Sequence, residues 1–144
     1  MDPEALLRLA QYARGHAHAP YSRLRVGAAI LGGSGQVYTG CNVENASYGL
    51  SMCAERAAVF AAIAAGERHL RAVAVLGGHG EGAATGCLPC GACRQVLYEF
   101  AAPDLLVWTL DASGHPVSRP LAALLPDAFH LDRPDDPWVQ EHQV

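Results

Sequence analysis

The sequence predicts an α/β domain in which a mixed central sheet of about five strands lies between helices. Two observations lead to this prediction. Short apolar segments of strand character alternate with alanine-rich segments of helical character, which is typical of a sheet covered by helices. The chain of 144 residues with 51% hydrophobic composition is also long enough for one core of ordinary size, and its length favours a single domain.

The first half of the chain predicts a helix, a β-hairpin and a second helix. Asp2-Pro3 is a typical cap and first turn of a helix, and it argues against a signal peptide. Residues 26–31 are apolar and residues 36–41 alternate, and the intervening GGSG predicts the turn of a hairpin. The segment from about Cys53 to Ala65 is apolar on nearly all sides, so we expect a buried helix that ends at Gly66.

The second half of the chain also predicts strands that alternate with helices. Residues 70–78 predict a central strand, "GACRQVLYEFAA" a second buried helix, and "DLLVWTLD" another strand. "HPVSRPLAALLPDAF" predicts an edge strand and a short helix. We expect residues 1–131 to form the domain and the tail of residues 132–144, rich in Pro and Asp, to be extended.

Composition argues against several classes of partner. The net charge is −4, and ten Lys and Arg residues are scattered among fourteen acids, so no basic patch for nucleic acid is expected. The apolar runs are shorter than the roughly 20 residues that cross a bilayer, so we expect no membrane association. Five cysteines without an export signal indicate a cytoplasmic protein with reduced thiols.

Three cysteines and one glutamate form a pattern that indicates metal chemistry. Cys53 and Glu55 stand at the start of one predicted buried helix, and Cys90 and Cys93 at the start of the other. Helix starts that meet at one place would present three thiolates to a zinc ion and leave one coordination position for water, as in catalytic zinc sites. Glu55 could then act as a general acid and base beside that position.

Six motifs occur in the order found in one enzyme family: "APYS", "VGAAI", "GCNVENASYGL", "CAERAA", "PCGACRQ" and "LLPDAF". With them, the region from Ala19 to Phe129 resembles the small homotetrameric cytidine deaminases. The pair "CAE" and "PCGACRQ", preceded by "NVENASY", is the most specific part. The resemblance implies a three-layer cytidine deaminase fold and the hydrolytic deamination of cytidine and 2′-deoxycytidine to the uridines, with release of ammonia, in pyrimidine salvage.

The resemblance also implies the role of each residue at the metal. Cys53, Cys90 and Cys93 would bind one zinc ion per subunit, and Glu55 would shuttle protons between the activated water and the base. Arg56 and Arg94 are then expected to donate hydrogen bonds to the thiolates, because three thiolates on a divalent cation leave a net negative charge.

The resemblance further implies which residues contact the substrate and a neighbouring subunit. Asn42 and Glu44 match the ribose-binding pair of the family, and the backbone around Ala54 and Cys90 would contact the polar edge of the pyrimidine. Leu24 stands where the family has an aromatic residue against the base, so stacking is lost while an apolar contact is kept. Tyr48 and Phe129 match positions that complete a neighbouring subunit's pocket, so we expect an oligomer, and the resemblance implies a homotetramer.

Other interpretations of these residues stay open at this point. Asn42 and Glu44 would also suit a turn after a strand, and Tyr48 and Phe129 would suit core aromatics. Cys87 forms a second C-x-x-C with Cys90, although we expect it to be a bystander. A zinc-binding interaction module, a deaminase of bases in nucleic acid, and a deaminase of another cytosine-containing small molecule such as a nucleoside antibiotic are the alternative functions. The acidic charge and the "NVENASYG" stretch favour free nucleosides.

Overall fold

Six strands form one mixed sheet in the computed structural model, which describes residues 1–133. The strands are β1 (Gly27–Gly32), β2 (Val37–Cys41), β3 (Leu70–Gly77), β4 (Thr85–Gly86), β5 (Ala101–Leu110) and β6 (Pro116–Pro120). Their order is β2-β1-β3-β5-β6, and the two-residue β4 pairs with β3. Only β3 and β5 run parallel among these pairs, so the predicted mixed sheet is confirmed, with β4 as an additional short strand.

Four α-helices within the described residues 1–133 cover this sheet. They are α1 (Pro3–Arg14), α2 (Ala54–Ala64), α3 (Gly91–Phe100) and α4 (Leu121–Leu124), and a 3₁₀ turn spans Tyr48–Leu50. The predicted start of α1 is confirmed, because the Asp2 side chain accepts a hydrogen bond from the amide of Glu4 and Pro3 is the first helical residue. Within residues 1–133, every helix is too short or too polar to cross a bilayer.

The sheet has an apolar layer on each face because side chains alternate along its strands. Ala28 and Ile30 of β1 pack in the larger core cluster with α2 and α3, whereas Ala29 packs with α1 in the other cluster. Strand β3 behaves in the same way, with Val73 on the first face and Ala74 on the second. The helices therefore lie on both sides of the sheet, as the three-layer prediction requires.

Two glycines bring the helices close to the sheet. A Cβ at Gly27 would lie 2.0 Å from the carbonyl oxygen of Ala10 in α1. A Cβ at Gly40 would lie 2.5 Å from the carbonyl oxygen of Ala54 at the start of α2. The absence of a side chain at Gly40 thus fixes the separation between β2 and the end of α2 that carries Cys53 and Glu55.

Strand β5 begins earlier than the sequence predicts. We expected the alanines at 101 and 102 to end the second buried helix, but Ala101 has extended backbone angles and pairs with Leu70 of β3. Pairing with the central strand outweighs the helix preference of alanine here, since propensity is a weak prior. As a result α3 passes directly into β5 without a connecting loop. The tail from residue 134 onward lies outside the described residues.

Thr109 of β5 links the sheet to the segment that leads into α3. Its hydroxyl donates to the carbonyl of Val75 and accepts from the amide of Cys87, both at 2.8 Å, and the residue is only 4% exposed. We predict that Thr109→Val lowers the free energy of unfolding by about 1–3 kcal/mol, because two buried backbone groups lose their partner.

The matched control for this prediction is Thr39→Val, which makes the same change at an exposed position of β2. This variant should stay within about 0.5 kcal/mol of the parent protein. Thermal melts at equal protein concentration measure both variants. Equal shifts in the two melting temperatures would contradict the assigned role of Thr109.

Candidate active site

The starts of α2 and α3 meet, and three cysteines lie at that junction. Cys53 is the residue before α2, Cys90 is the residue before α3, and Cys93 is buried in the first turn of α3. The Sγ atoms of Cys53 and Cys90 are 3.9 Å apart, and those of Cys90 and Cys93 are 3.5 Å apart. All three sulfur atoms lie within 4.8 Å of one another.

These distances fit one zinc ion. Four ligands at the usual Zn–S length of about 2.3 Å in a tetrahedron place neighbouring sulfurs about 3.8 Å apart. The sulfur separations of 3.9 and 3.5 Å bracket that value. The helix starts add favourable positive potential for thiolates. Three sulfurs leave the fourth tetrahedral position open, which is the arrangement of catalytic rather than structural zinc sites.

Arg56 supplies positive charge to this cluster. Its Nη2 donates a hydrogen bond to the Sγ of Cys53 at 3.1 Å. Hydrogen bonds from the Cys93 thiol and from Arg56 lower the pKa of Cys53 to about 5, against the opposing effect of burial. The Cys53 thiol is therefore ionised to a thiolate at neutral pH. The arrangement agrees with the expected hydrogen bond from Arg56 to a thiolate.

Arg94 does not take the role expected from the sequence. Its Nε donates to the carbonyl of Pro89 at 2.7 Å, and its Nη1 donates to the carbonyl of Leu124 at 2.8 Å. These two hydrogen bonds tie the segment before Cys90 to α4. The contribution of Arg94 to the cluster is to hold the backbone that carries Cys90.

Glu55 lies in the first turn of α2 and is only 3% exposed. Burial raises the pKa of its carboxyl, and the negative charge on Cys53 raises it further. A carboxyl group in this position can hold a proton at a pH where an exposed one would have lost it. The structure therefore brings Glu55 and the three thiols together with the electrostatics that general acid and base catalysis needs.

Cys87 is adjacent to the cluster without joining it. Burial raises the pKa of its thiol to about 11, and the charges of Glu55, Cys53 and Cys90 add to this effect. Its sulfur therefore stays protonated near neutral pH. The sulfur of Cys87 is not one of the three that lie within 4.8 Å of one another among the described residues, so the geometry favours Cys90 and Cys93 over the alternative C-x-x-C pair.

Asn42 and Glu44 hold the segment that contains Leu24. The amide oxygen of Asn42 accepts from the amide of Val26 at 2.8 Å, and its nitrogen donates to the carbonyl of Leu24 at 2.7 Å. Glu44 accepts hydrogen bonds from the amides of Tyr21 and Ser22 and from the Ser22 hydroxyl. The Ser22 hydrogen bonds lower the pKa of Glu44, so this carboxylate is ionised.

Ser22 was not predicted from the sequence, although it lies in the "APYS" motif. Its hydroxyl donates to Glu44 at 2.5 Å and accepts from the amide of Leu24 at 3.0 Å. The signal that could have identified it is the pairing of a short polar side chain with an acid further along the chain. No spacing rule gives such a pair in advance.

The remaining predicted residues differ in exposure. Ala54 is fully buried as the first residue of α2, whereas Leu24 is 37% exposed. Tyr48 and Phe129 are 77% and 69% exposed, so the core interpretation of these aromatics is wrong for the isolated chain. The Tyr48 ring makes an edge contact with the ring of Tyr21, with ring centroids 6.2 Å apart.

The chain is similar to known proteins over most of its length. A family model described as "Cytidine and deoxycytidylate deaminase zinc-binding region" matches residues 1–109. A cytidine deaminase of Mycobacterium tuberculosis (strain CDC 1551 / Oshkosh) is 51% identical over 117 residues, which are 81% of this chain and 80% of that relative. The chain belongs to the cytidine and deoxycytidylate deaminase family. The resemblance inferred from the motifs is thereby confirmed.

Other deaminases of the family match along nearly the whole chain. A cytidine deaminase of Sporosarcina psychrophila is 43% identical over 129 residues, which are 90% of this chain and 92% of that relative. The crystal structure of cytidine deaminase from Burkholderia pseudomallei matches with a TM-score of 0.80 at 47% identity. It covers 90% of this chain and 100% of that one, which confirms the three-layer deaminase fold.

The hydrogen bond from Arg56 to Cys53 gives a testable prediction. We expect Arg56→Gln to lower both turnover and zinc content, because the thiolate loses a charge-assisted donor and the cluster becomes more negative. Loss of such an outer partner typically costs about 10- to 100-fold in metal affinity or activity. Metal analysis after dialysis and steady-state assays measure the two quantities.

The control for Arg56→Gln is Arg71→Gln, which removes an arginine from an exposed position of β3. It should keep the zinc content and turnover of the parent protein. An Arg56→Gln variant with unchanged zinc content and unchanged turnover would show that the hydrogen bond to Cys53 has no functional role.

Proposed function

We propose that this protein deaminates cytidine and 2′-deoxycytidine hydrolytically to uridine and 2′-deoxyuridine, with release of ammonia. The observation that carries the proposal is the buried Glu55 carboxyl beside the cluster of Cys53, Cys90 and Cys93. Membership of the deaminase family supports it, as do the relatives named cytidine deaminase. A zinc-binding interaction module would have no use for a buried acid at this place.

The chemistry divides between the metal and the carboxyl group. The three thiolates would hold one zinc ion, which supplies Lewis-acid activation of a water molecule. Glu55 would accept a proton from this water and donate it to N3 of the pyrimidine as the water oxygen bonds to C4. It would then take the second proton from that oxygen and pass it to the amino group at C4, so that the C4–N bond breaks, a carbonyl forms at C4 and ammonia leaves. The raised pKa of Glu55 suits these proton transfers, because the best acid and base catalysts titrate near the operating pH.

The substrate would be held by groups that still have hydrogen-bonding capacity. A carboxylate offers about four acceptor sites, and Glu44 uses three with Tyr21 and Ser22. The Asn42 amide has a second N–H and a second acceptor site beyond its bonds to Leu24 and Val26. Asn42 and Glu44 therefore retain hydrogen-bond acceptors as well as one donor for the ribose hydroxyls. The backbone around Ala54 and Cys90 would contact the base.

The exposed aromatics favour an assembly of several chains. Tyr48, Leu50 and Phe129 are all more than two-thirds exposed, which is unusual for large apolar side chains in an isolated monomer. We propose a homotetramer in which Tyr48 and Phe129 complete the pocket of a neighbouring subunit. We further propose a cytoplasmic enzyme of pyrimidine salvage whose catalytic domain spans residues 1–131.

The role of Glu55 can be tested by replacing its carboxyl with an amide. We predict that Glu55→Gln keeps one zinc ion per chain but lowers kcat for cytidine by about 10²- to 10⁴-fold, because the proton carrier is lost. Ammonia release and the change in ultraviolet absorbance measure turnover, and metal analysis measures zinc.

The exposed Glu4→Gln, at the start of α1, is the control and should retain full activity. A fully active Glu55→Gln variant would rule out the proposed proton transfer. A parent protein that binds zinc but leaves cytidine and deoxycytidine unchanged would overturn the substrate assignment, and other cytosine-containing small molecules would be assayed next.

Subunit complementation tests the shared pocket. Glu55→Gln chains retain Phe129, and Phe129→Ala chains retain Glu55. If Phe129 serves a neighbouring subunit, refolding the two weak variants together should create pockets with both groups intact and raise the activity above the sum of the separate samples. Light scattering on the same samples should give the mass of four chains. Activity equal to that sum, or a monomer mass, would contradict the shared pocket.

A further inference from the structure

Arg14 is a buried arginine whose function the site described above does not include. It is the last residue of α1 and only 5% exposed. Its Nε donates to the carbonyl of Arg25 at 3.3 Å, and its Nη2 donates to the carbonyl of Gly82 at 3.0 Å. These two carbonyl oxygens lie 57 residues apart in sequence, so a single guanidinium joins two distant segments.

The two segments form a small antiparallel pair, residues 23–25 with residues 78–82. Leu24 and His79 are bridge partners in it. The amide of Arg25 donates to the carbonyl of Gly78 at 2.9 Å, and the amide of Gly80 donates to the carbonyl of Arg23 at 2.8 Å. Leu24 therefore lies in the middle of the 23–25/78–82 pair, directly between the backbone groups that these hydrogen bonds fix.

The backbone beside Leu24 has an uncommon conformation. Arg23 has a φ of 62°, in the left-handed region that residues with a side chain seldom adopt. Such a conformation persists only where surrounding contacts hold it, and it is found frequently at functional sites. Gly78 has a φ of 142°, and a Cβ there would lie 2.5 Å from Nη2 of Arg14. The guanidinium is thus packed closely against the 23–25/78–82 pair.

Leu24 is held from two sides. The Asn42 side chain binds the carbonyl of Leu24 and the amide of Val26 on one side. Arg14 binds the carbonyls of Arg25 and Gly82 on the other. Its hydrogen bonds are to backbone carbonyls, so its visible effect is to fix the position of these segments.

We infer that Arg14 is a positioning residue that fixes Leu24 against the pyrimidine base. The inference rests on the proposed function, in which Leu24 contacts the base. Loss of the guanidinium would free the 23–25/78–82 pair and move the apolar wall of the pocket, whereas the thiols and Glu55 are carried by α2 and α3. The effect should therefore fall on substrate binding and leave the chemical step and the zinc ion in place.

Kinetics of Arg14→Met and of the milder Arg14→Lys test this inference. Arg14→Met should raise KM for cytidine about tenfold with kcat within about threefold of the parent and zinc content unchanged. The KM of Arg14→Lys should lie between the values of the parent protein and of Arg14→Met, since an ammonium group can still donate to a carbonyl. The control is Arg8→Met, which removes an exposed arginine from the same helix α1 and should leave KM unchanged.

A double-mutant cycle separates positioning from general destabilisation. If Arg14 acts through Leu24, then Arg14→Met should raise KM much less in a Leu24→Ala background than in the parent. Equal effects in both backgrounds would overturn the inference. So would a lowered melting temperature with unchanged KM, because that result would make Arg14 a structural residue alone.

Hydrogen exchange gives a readout that does not depend on the substrate. The amides of Arg25 and Gly80 should exchange about tenfold faster in Arg14→Met than in Arg8→Met, because local opening controls such exchange. If the parent protein does not deaminate cytidine, the proposed function fails, and exchange still tests whether Arg14 holds the pair. Unchanged exchange at both amides would overturn the positioning role in either case.

Discussion

The convergence of two helix starts is the constraint on which the rest of the site depends. Three sulfur atoms within 4.8 Å of one another would repel if all were ionised, so the arrangement needs a cation or a shared proton. Helices α2 and α3 can approach this closely because Gly40 leaves room for the start of α2 and because α3 continues into the central part of the sheet. Packing of the helices on one face of the sheet thus places the metal ligands.

The side chains around the three sulfurs differ in charge and in what they contact. Arg56 donates to Cys53, whereas Arg94 acts on the backbone and holds Pro89 beside Cys90. Burial raises the pKa of the Glu55 carboxyl, and the negative charge of Cys53 raises it further. The neighbouring Cys87 stays a neutral thiol. One small region therefore contains an ionised sulfur, a neutral sulfur and a carboxyl with a raised pKa, each determined by its hydrogen bonds and burial.

The sequence was sufficient to predict the layered sheet and the cysteine cluster, because alternation and C-x-x-C spacing follow from repeating geometry. It was not sufficient for Arg94, since spacing along a helix does not tell whether a long side chain turns toward a sulfur or a carbonyl. It also missed the early start of β5, where pairing of Ala101 with Leu70 overrides local preference. The contacts of Asn42 with residues 24 and 26 join segments that only the folded chain brings together.

The path of the chain has a consequence for how the metal is acquired. Cys53 precedes Cys90 by 37 residues, and β3 lies between them, parallel to the strand that follows Cys93. A chain that has formed only α3 can offer just the Cys90 and Cys93 pair. Cys53 joins that pair only where α2 packs in the same core cluster as α3. The complete set of three sulfurs is therefore a property of the folded domain and of no single segment of the chain.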